Sequence, residues 1–105
     1  MWQRSVNGSG GGSPNNPTLV ETGVIGQGQI KSVTIDASKD YIICGNSNYT
    51  YSGNLMDVYS FTNGSLTQIQ NGATAFVCSY SGNTISKQNG AGINVGLSYA
   101  VVQLN

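Results

Sequence analysis

The chain has no histidine, and only 8% of its 105 residues are charged. The first absence removes Ser-His and Cys-His nucleophile pairs and most zinc sites. The second leaves four basic residues, Arg4, Lys31, Lys39 and Lys87, against four acidic ones, Glu21, Asp36, Asp40 and Asp57. A net charge of zero provides no electrostatic footprint for nucleic acid or for an anionic membrane surface. Helix builders are scarce, and no apolar run approaches the length of a membrane-spanning helix. Only two cysteines and two prolines are present. No apolar stretch follows Met1-Trp2-Gln3-Arg4, so cytoplasmic synthesis without a secretory signal is expected. In that setting the sequons at Asn7, Asn48 and Asn63 read as chance matches.

Gly, Ser and Asn supply 40 residues. This composition suits tight turns between short strands and disfavours helix interiors. Leu, Ile, Val and Phe total 24, enough for one modest core. The most apolar stretch is Asp40-Tyr41-Ile42-Ile43-Cys44-Gly45, echoed by Thr74-Ala75-Phe76-Val77-Cys78-Ser79. Both read as central strands buried on both faces, because large apolar residues stand side by side rather than alternating. Cys44 is then a small core residue, and its matching place to Cys78 allows a disulfide if the strands are neighbours. Reduced, buried thiols are the expected state in a cytoplasm.

Alternation places further strands. Thr18–Thr22 is a short one, and Val24-Ile25 is at most a fragment among Gly23, Gly26 and Gly28. Residues 29–37 alternate as a half-buried strand, and Ser38-Lys39-Asp40 turns it into a hairpin pairing 32–37 with 40–45. Residues 54–62 alternate, and Asn63-Gly64 is a type I′ hairpin signal. Ser65–Gln70 returns, and Asn71-Gly72 marks the next turn. Ser81-Gly82-Asn83 turns the 74–80 strand into a short one at 84–87. Ile93–Gly96 passes along an edge, and Leu97–Leu104 ends the chain as a strand tied into the sheet. Seven to eight short strands with turns every 8–12 residues predict an all-β fold, an antiparallel sandwich of jelly-roll-like character. The domain spans 18–105, and residues 1–17 form a Gly/Ser/Pro-rich arm.

Chemistry is sparse. Asp36 and Asp40 flank one turn and read as turn formers rather than as a glycosidase pair or a calcium site. No catalytic residue, cofactor or metal is expected. Trp2, with Arg4 and Val6, is either an assembly anchor on a flexible tether or part of a frayed terminus. Tyr49 and Tyr51 stand two apart in an Asn/Ser loop between Asn48 and Asn54. Projected to one side, they suit a neutral glycan, a protein contact, or a partly buried hairpin tip.

The Met-Trp opening, the T-x-D-x-S-K-D-Y-x-x-C run from Thr34 to Cys44, and V-Y-S-F-T-N-G-S-L-T from Val58 to Thr67 together carry a resemblance. In texture the chain resembles small virion proteins of tailed bacteriophages and prophages of Gram-positive gut bacteria: tail-fibre modules, head fibres and capsid decoration proteins. The resemblance implies a non-enzymatic β module in the virion, a homotrimer, and attachment to capsid or tail proteins through the N-terminal arm. The alternative is a lectin-like module for host-surface or environmental glycans.

Overall fold

The computed structural model describes residues 17–47, 56–92 and 94–105. It is all-β. Eight strands of five to eight residues follow in chain order: β1 Thr18–Ile25, β2 Ile30–Thr34, β3 Tyr41–Ser47, β4 Asp57–Thr62, β5 Ser65–Gln70, β6 Phe76–Ser81, β7 Thr84–Asn89 and β8 Leu97–Gln103. They form two antiparallel sheets, β1-β8-β3-β4-β5 and β2-β7-β6, packed as a β-sandwich. The C-terminal strand lies between β1 and β3, as a chain end tied into the sheet requires.

Two turns follow directly from local chemistry. Asn63 and Gly64 take φ of 51° and 75°, and Gly82 and Asn83 take 57° and 64°. Positive φ at both central residues matches the twist of the flanking strands, which is why these dipeptides close β4–β5 and β6–β7. The core lies between the sheets. Ile25, Tyr41, Ile43, Phe61, Leu97, Tyr99 and Val101 enter from the five-stranded side, and Phe76, Cys78 and Ile85 from the other. Aromatic edges meet across it, with Phe61 and Tyr80 centroids 4.7 Å apart and Tyr59 and Phe76 6.2 Å apart.

Several expectations are corrected. The segment before residue 40 does not fold back on β3. β2 pairs instead with β7, in the opposite sheet, and its Ser32 and Ser86 hydroxyls lie 3.1 Å apart. Residues 35–40 carry the chain from one sheet to the other. Asp36 Oδ1 accepts from the Ser38 amide and hydroxyl, and the Asp36 amide donates to the Tyr41 hydroxyl. This compact link keeps Ile35 in the core while redirecting the chain, so the local turn signal does not become a hairpin. Asp36 is a turn former, and the Ser38 hydroxyl and amide hold its carboxyl below the ordinary range.

The 74–79 strand, β6, is an edge strand rather than a central one, and Val77 is 49% exposed. Val24-Ile25 belongs to one continuous β1, because β1 pairs with β8 along its length. Gly23 is tolerated there because the Tyr99 ring fills its place: a Cβ would lie 3.2 Å from the Tyr99 hydroxyl. Residues 94–96 form no strand, and the Val95 carbonyl accepts from the Asn89 side chain. Cys44 and Cys78 lie in different sheets and are free. Cys78 is the core cysteine, and Cys44 is only half-buried.

β3 is the middle strand of its sheet, with Tyr41, Ile43 and Gly45 packed inward. It is not buried on both faces. Ile42 and Cys44 point away from the core and remain half-buried.

Candidate interaction surface

Strand register shows what the outer face of the five-stranded sheet carries. One row runs across it as Leu19, Val102, Ile42, Ser60 and Thr67. The next runs as Thr22, Ala100, Cys44, Val58 and Gln70. A third holds Val24, Ser98 and Asn46. Apolar residues therefore fill adjoining positions on β1, β8 and β3 and reach β4 at Val58. Leu19 is 59% and Val24 50% exposed. No charged residue stands in these rows. Asp40 sits beyond the end of the face, where its carboxylate accepts from the Thr62 hydroxyl.

The outer face of the three-stranded sheet differs. Its rows are Ser32, Ser86 and Ser79, then Thr34, Thr84 and Ser81, with Ile30, Gln88 and Val77 at one end. This hydroxyl-dominated surface is the polar exterior an antiparallel sheet ordinarily shows to water. The two exteriors of one sandwich thus differ in chemistry, and the apolar one is unusual.

The charges missing from the face are accounted for elsewhere. Lys87 is fully buried between the sheets. Its ammonium lies 2.7 Å from Glu21 Oε1 and 5.1 Å from the centre of the Tyr99 ring. Burial raises the Tyr99 hydroxyl pKa, and the neighbouring Glu21 adds to the rise. Burial also pushes the Cys78 thiol up to about 12, and Lys87 only partly opposes this. Such thiols stay protonated and unreactive near neutral pH.

Two more polar side chains are buried at the end of the sandwich where β3 leaves and β4 begins. Asp57 Oδ1 accepts from the Gly72 amide and the Gln68 side chain, and Oδ2 accepts from the Thr74 amide and hydroxyl. This holds the 71–75 loop, in which Ala73 and Ala75 take φ of 58° and 70°. A left-handed backbone at alanine costs about 1–2 kcal/mol, so the carboxylate offsets local strain. Asn89 Nδ2 donates to the carbonyls of Ile25 and Val95, and Oδ1 accepts from the Ala91 amide. Every polar atom of that amide is satisfied, as burial demands.

The residues singled out from the sequence, Trp2, Arg4 and Val6 in the arm and Asn48, Tyr49, Tyr51 and Asn54 in the loop, lie outside the described residues. What is described is the frame at each side of that loop: Ser47 ends β3 opposite Leu97, and Asp57 begins β4 opposite Gly45. Sequence reasoning missed Asp57, Lys87 and Asn89. The signal was parity. Asp57 shares its strand face with Tyr59 and Phe61, and Lys87 and Asn89 share theirs with Ile85. Among the described residues, no three His, Cys, Asp or Glu side chains gather as a metal-binding group.

In comparisons with protein-family models, with curated proteins and with solved structures, none matches this chain.

Proposed function

We propose that the chain is a non-enzymatic structural module of a bacteriophage virion. In this reading its β-sandwich is displayed on the particle, and residues 1–17 attach it to capsid or tail proteins. One observation carries the reading: the uncharged, apolar outer face of the five-stranded sheet. A protein living free in solution keeps such a face polar and its net charge away from zero, whereas a protein inside an assembly covers it. The charge-poor composition and the resemblance in texture to tail-fibre, head-fibre and decoration proteins support the same reading.

The test is incorporation. Particles assembled with a chain lacking residues 1–17 should lose the protein while the truncated domain remains folded by circular dichroism. Undiminished incorporation of the truncated chain would refute the attachment role.

The carbohydrate-binding alternative is favoured by one feature. Asp57 and Asn89 pin the loops neighbouring 48–55, so that end of the sandwich offers a firm frame for Tyr49 and Tyr51. A glycan array probed with the intact chain and with Tyr49→Ala and Tyr51→Ala decides it. Binding lost in both variants supports this alternative, and a blank array opposes it.

A further inference from the structure

We infer that the outer face of the five-stranded sheet packs against the same face of a second copy of this chain. The inference names the partner of the face on which the assembly reading rests. Its starting point is β3. Tyr41-Ile42-Ile43-Cys44 is apolar on both sides, which is the pattern of a strand covered on both faces. Among the described residues, other segments cover only one side. Ile42 and Cys44 stay half-buried, within a continuous apolar field of Leu19, Val102, Ala100 and Val58.

Three features single out a second copy as the occupant. The first is electrostatic. With no charge in its rows, the face can meet itself without desolvating an ion or opposing like charges. It also offers nothing to attract a basic or acidic partner. Of the acidic and basic groups among the described residues, Glu21, Asp57 and Lys87 lie on the inward side of their strands. Asp36, Lys39 and Asp40 stand in the link between β2 and β3, and Lys31 lies in the other sheet.

The second feature is shape. A twisted sheet stacks best on a sheet of equal twist about 10 Å away, and the same sheet in another copy meets that condition. A closed two-fold contact then places each apolar row of one copy over those of its partner.

The third is size. Five strands spaced at about 4.8 Å and about seven residues of rise give a footprint of about 19 by 23 Å on each copy. Both copies together cover about 900 Å² before side-chain relief is counted, just under the about 1,000 Å² that a stable specific interface clears, so the contact belongs to the weak class. Weak association is therefore expected, visible at tens of micromolar.

The experiment is light scattering with size-exclusion chromatography on the full chain from 1 to 100 µM. The expected mass rises with concentration above the 10.9 kDa of one chain. Ile42→Asp and Val58→Asp each place a charge on this face and should weaken association by about a hundredfold or more. Both positions are half-buried in the single chain, so an unchanged circular dichroism spectrum is expected at 1 µM, where wild type and variants are both single chains. Ser86→Asp, on the hydroxyl face of the other sheet, should leave the mass as it was. A wild-type chain that stays at 10.9 kDa to 100 µM overturns the inference. So does an oligomer whose mass Ile42→Asp and Val58→Asp leave unchanged. A monomer that dimerises only when residues 1–16 are removed also overturns it, since the arm would then be the occupant. Loss of particle incorporation with self-association intact would refute the virion role and leave this inference standing. Incorporation without self-association would do the reverse.

Discussion

Gly45→Ala tests how tightly the two sheets are pressed together at the centre. Gly45 is in β3, between Tyr99 of β8 and Asp57 of β4. A Cβ added there would stand 2.3 Å from Phe76 Cγ and 2.5 and 2.6 Å from the two Cδ atoms. Ordinary carbon contacts begin near 3.4 Å, so the ring or the strand would have to retreat by about 1 Å. Neither is free to do so. Phe76 is 1% exposed, packs edge-on to Tyr59, and its carbonyl accepts from the Tyr59 hydroxyl. β3 is laddered on both sides. Without the clash, alanine in a strand would be the better residue, because it costs less backbone entropy than glycine. The sign of the effect therefore reports on packing alone. Overpacking of this kind costs about 1–3 kcal/mol, and the rigid surroundings place this case near the upper end. At about 4–8 °C per kcal/mol, the thermal midpoint should fall by about 10–20 °C. Urea unfolding followed by circular dichroism measures it. The cycle is completed with Phe76→Ala. Removing the ring should make Gly45→Ala neutral or stabilising, a coupling of about 3 kcal/mol. A midpoint for Gly45→Ala within about 0.5 kcal/mol of wild type, or an undiminished cost in the Phe76→Ala background, would refute the reasoning.

Other outcomes follow from the buried polar groups. Glu21→Gln should cost more than Lys87→Met, about 3 kcal/mol or more against about 1. The first strands a fully buried ammonium, while the second leaves Glu21, whose side chain is 31% exposed, able to reach water; equal costs by urea unfolding would contradict this. Asp57→Asn should destabilise by about 1–3 kcal/mol, because an amide NH₂ would face N–H donors now met by a carboxylate oxygen. Amide exchange should rise first at residues 72–75. Stability should also fall above pH 9. Cys78 ionises at 9.0 in its ordinary state and at about 12 in the fold, so the unfolded chain loses its proton first. The stabilisation is complete below pH 9 and is lost between pH 9 and about 12, at about 1.4 kcal/mol per pH unit. Cys78→Ala should flatten that slope, and an unchanged slope would assign alkaline lability to the tyrosines instead.

Much of the fold was legible in local pattern. Asn63-Gly64 and Gly82-Asn83 announce their turns because few other residues tolerate positive φ. Period-two alternation placed β4 and β8, and β6 was found as the echo of the 40–45 stretch, but the side each turns to the core was not read. The buried charges were legible only as parity, and lysine or asparagine next to polar neighbours reads as solvent-facing until a core is seen on the other side. Pairing was not legible for β2. Its turn to β3 looked like a hairpin, and only the competing edge of β7 decided otherwise.

The apolar stretch at 40–45 shows the division most plainly. From the sequence alone, side-chain volume and backbone propensity determined that Tyr41 to Gly45 is a strand, that it is central, and that both sides are apolar. Only the tertiary structure decided which side is covered. Burial depends on what other segments bring to each face, and among the described residues Phe76, Ile85 and Cys78 arrive on one side alone. Ile42 and Cys44 stand on the other, in a field whose charge-free character arises from strand register and could not be read along the chain.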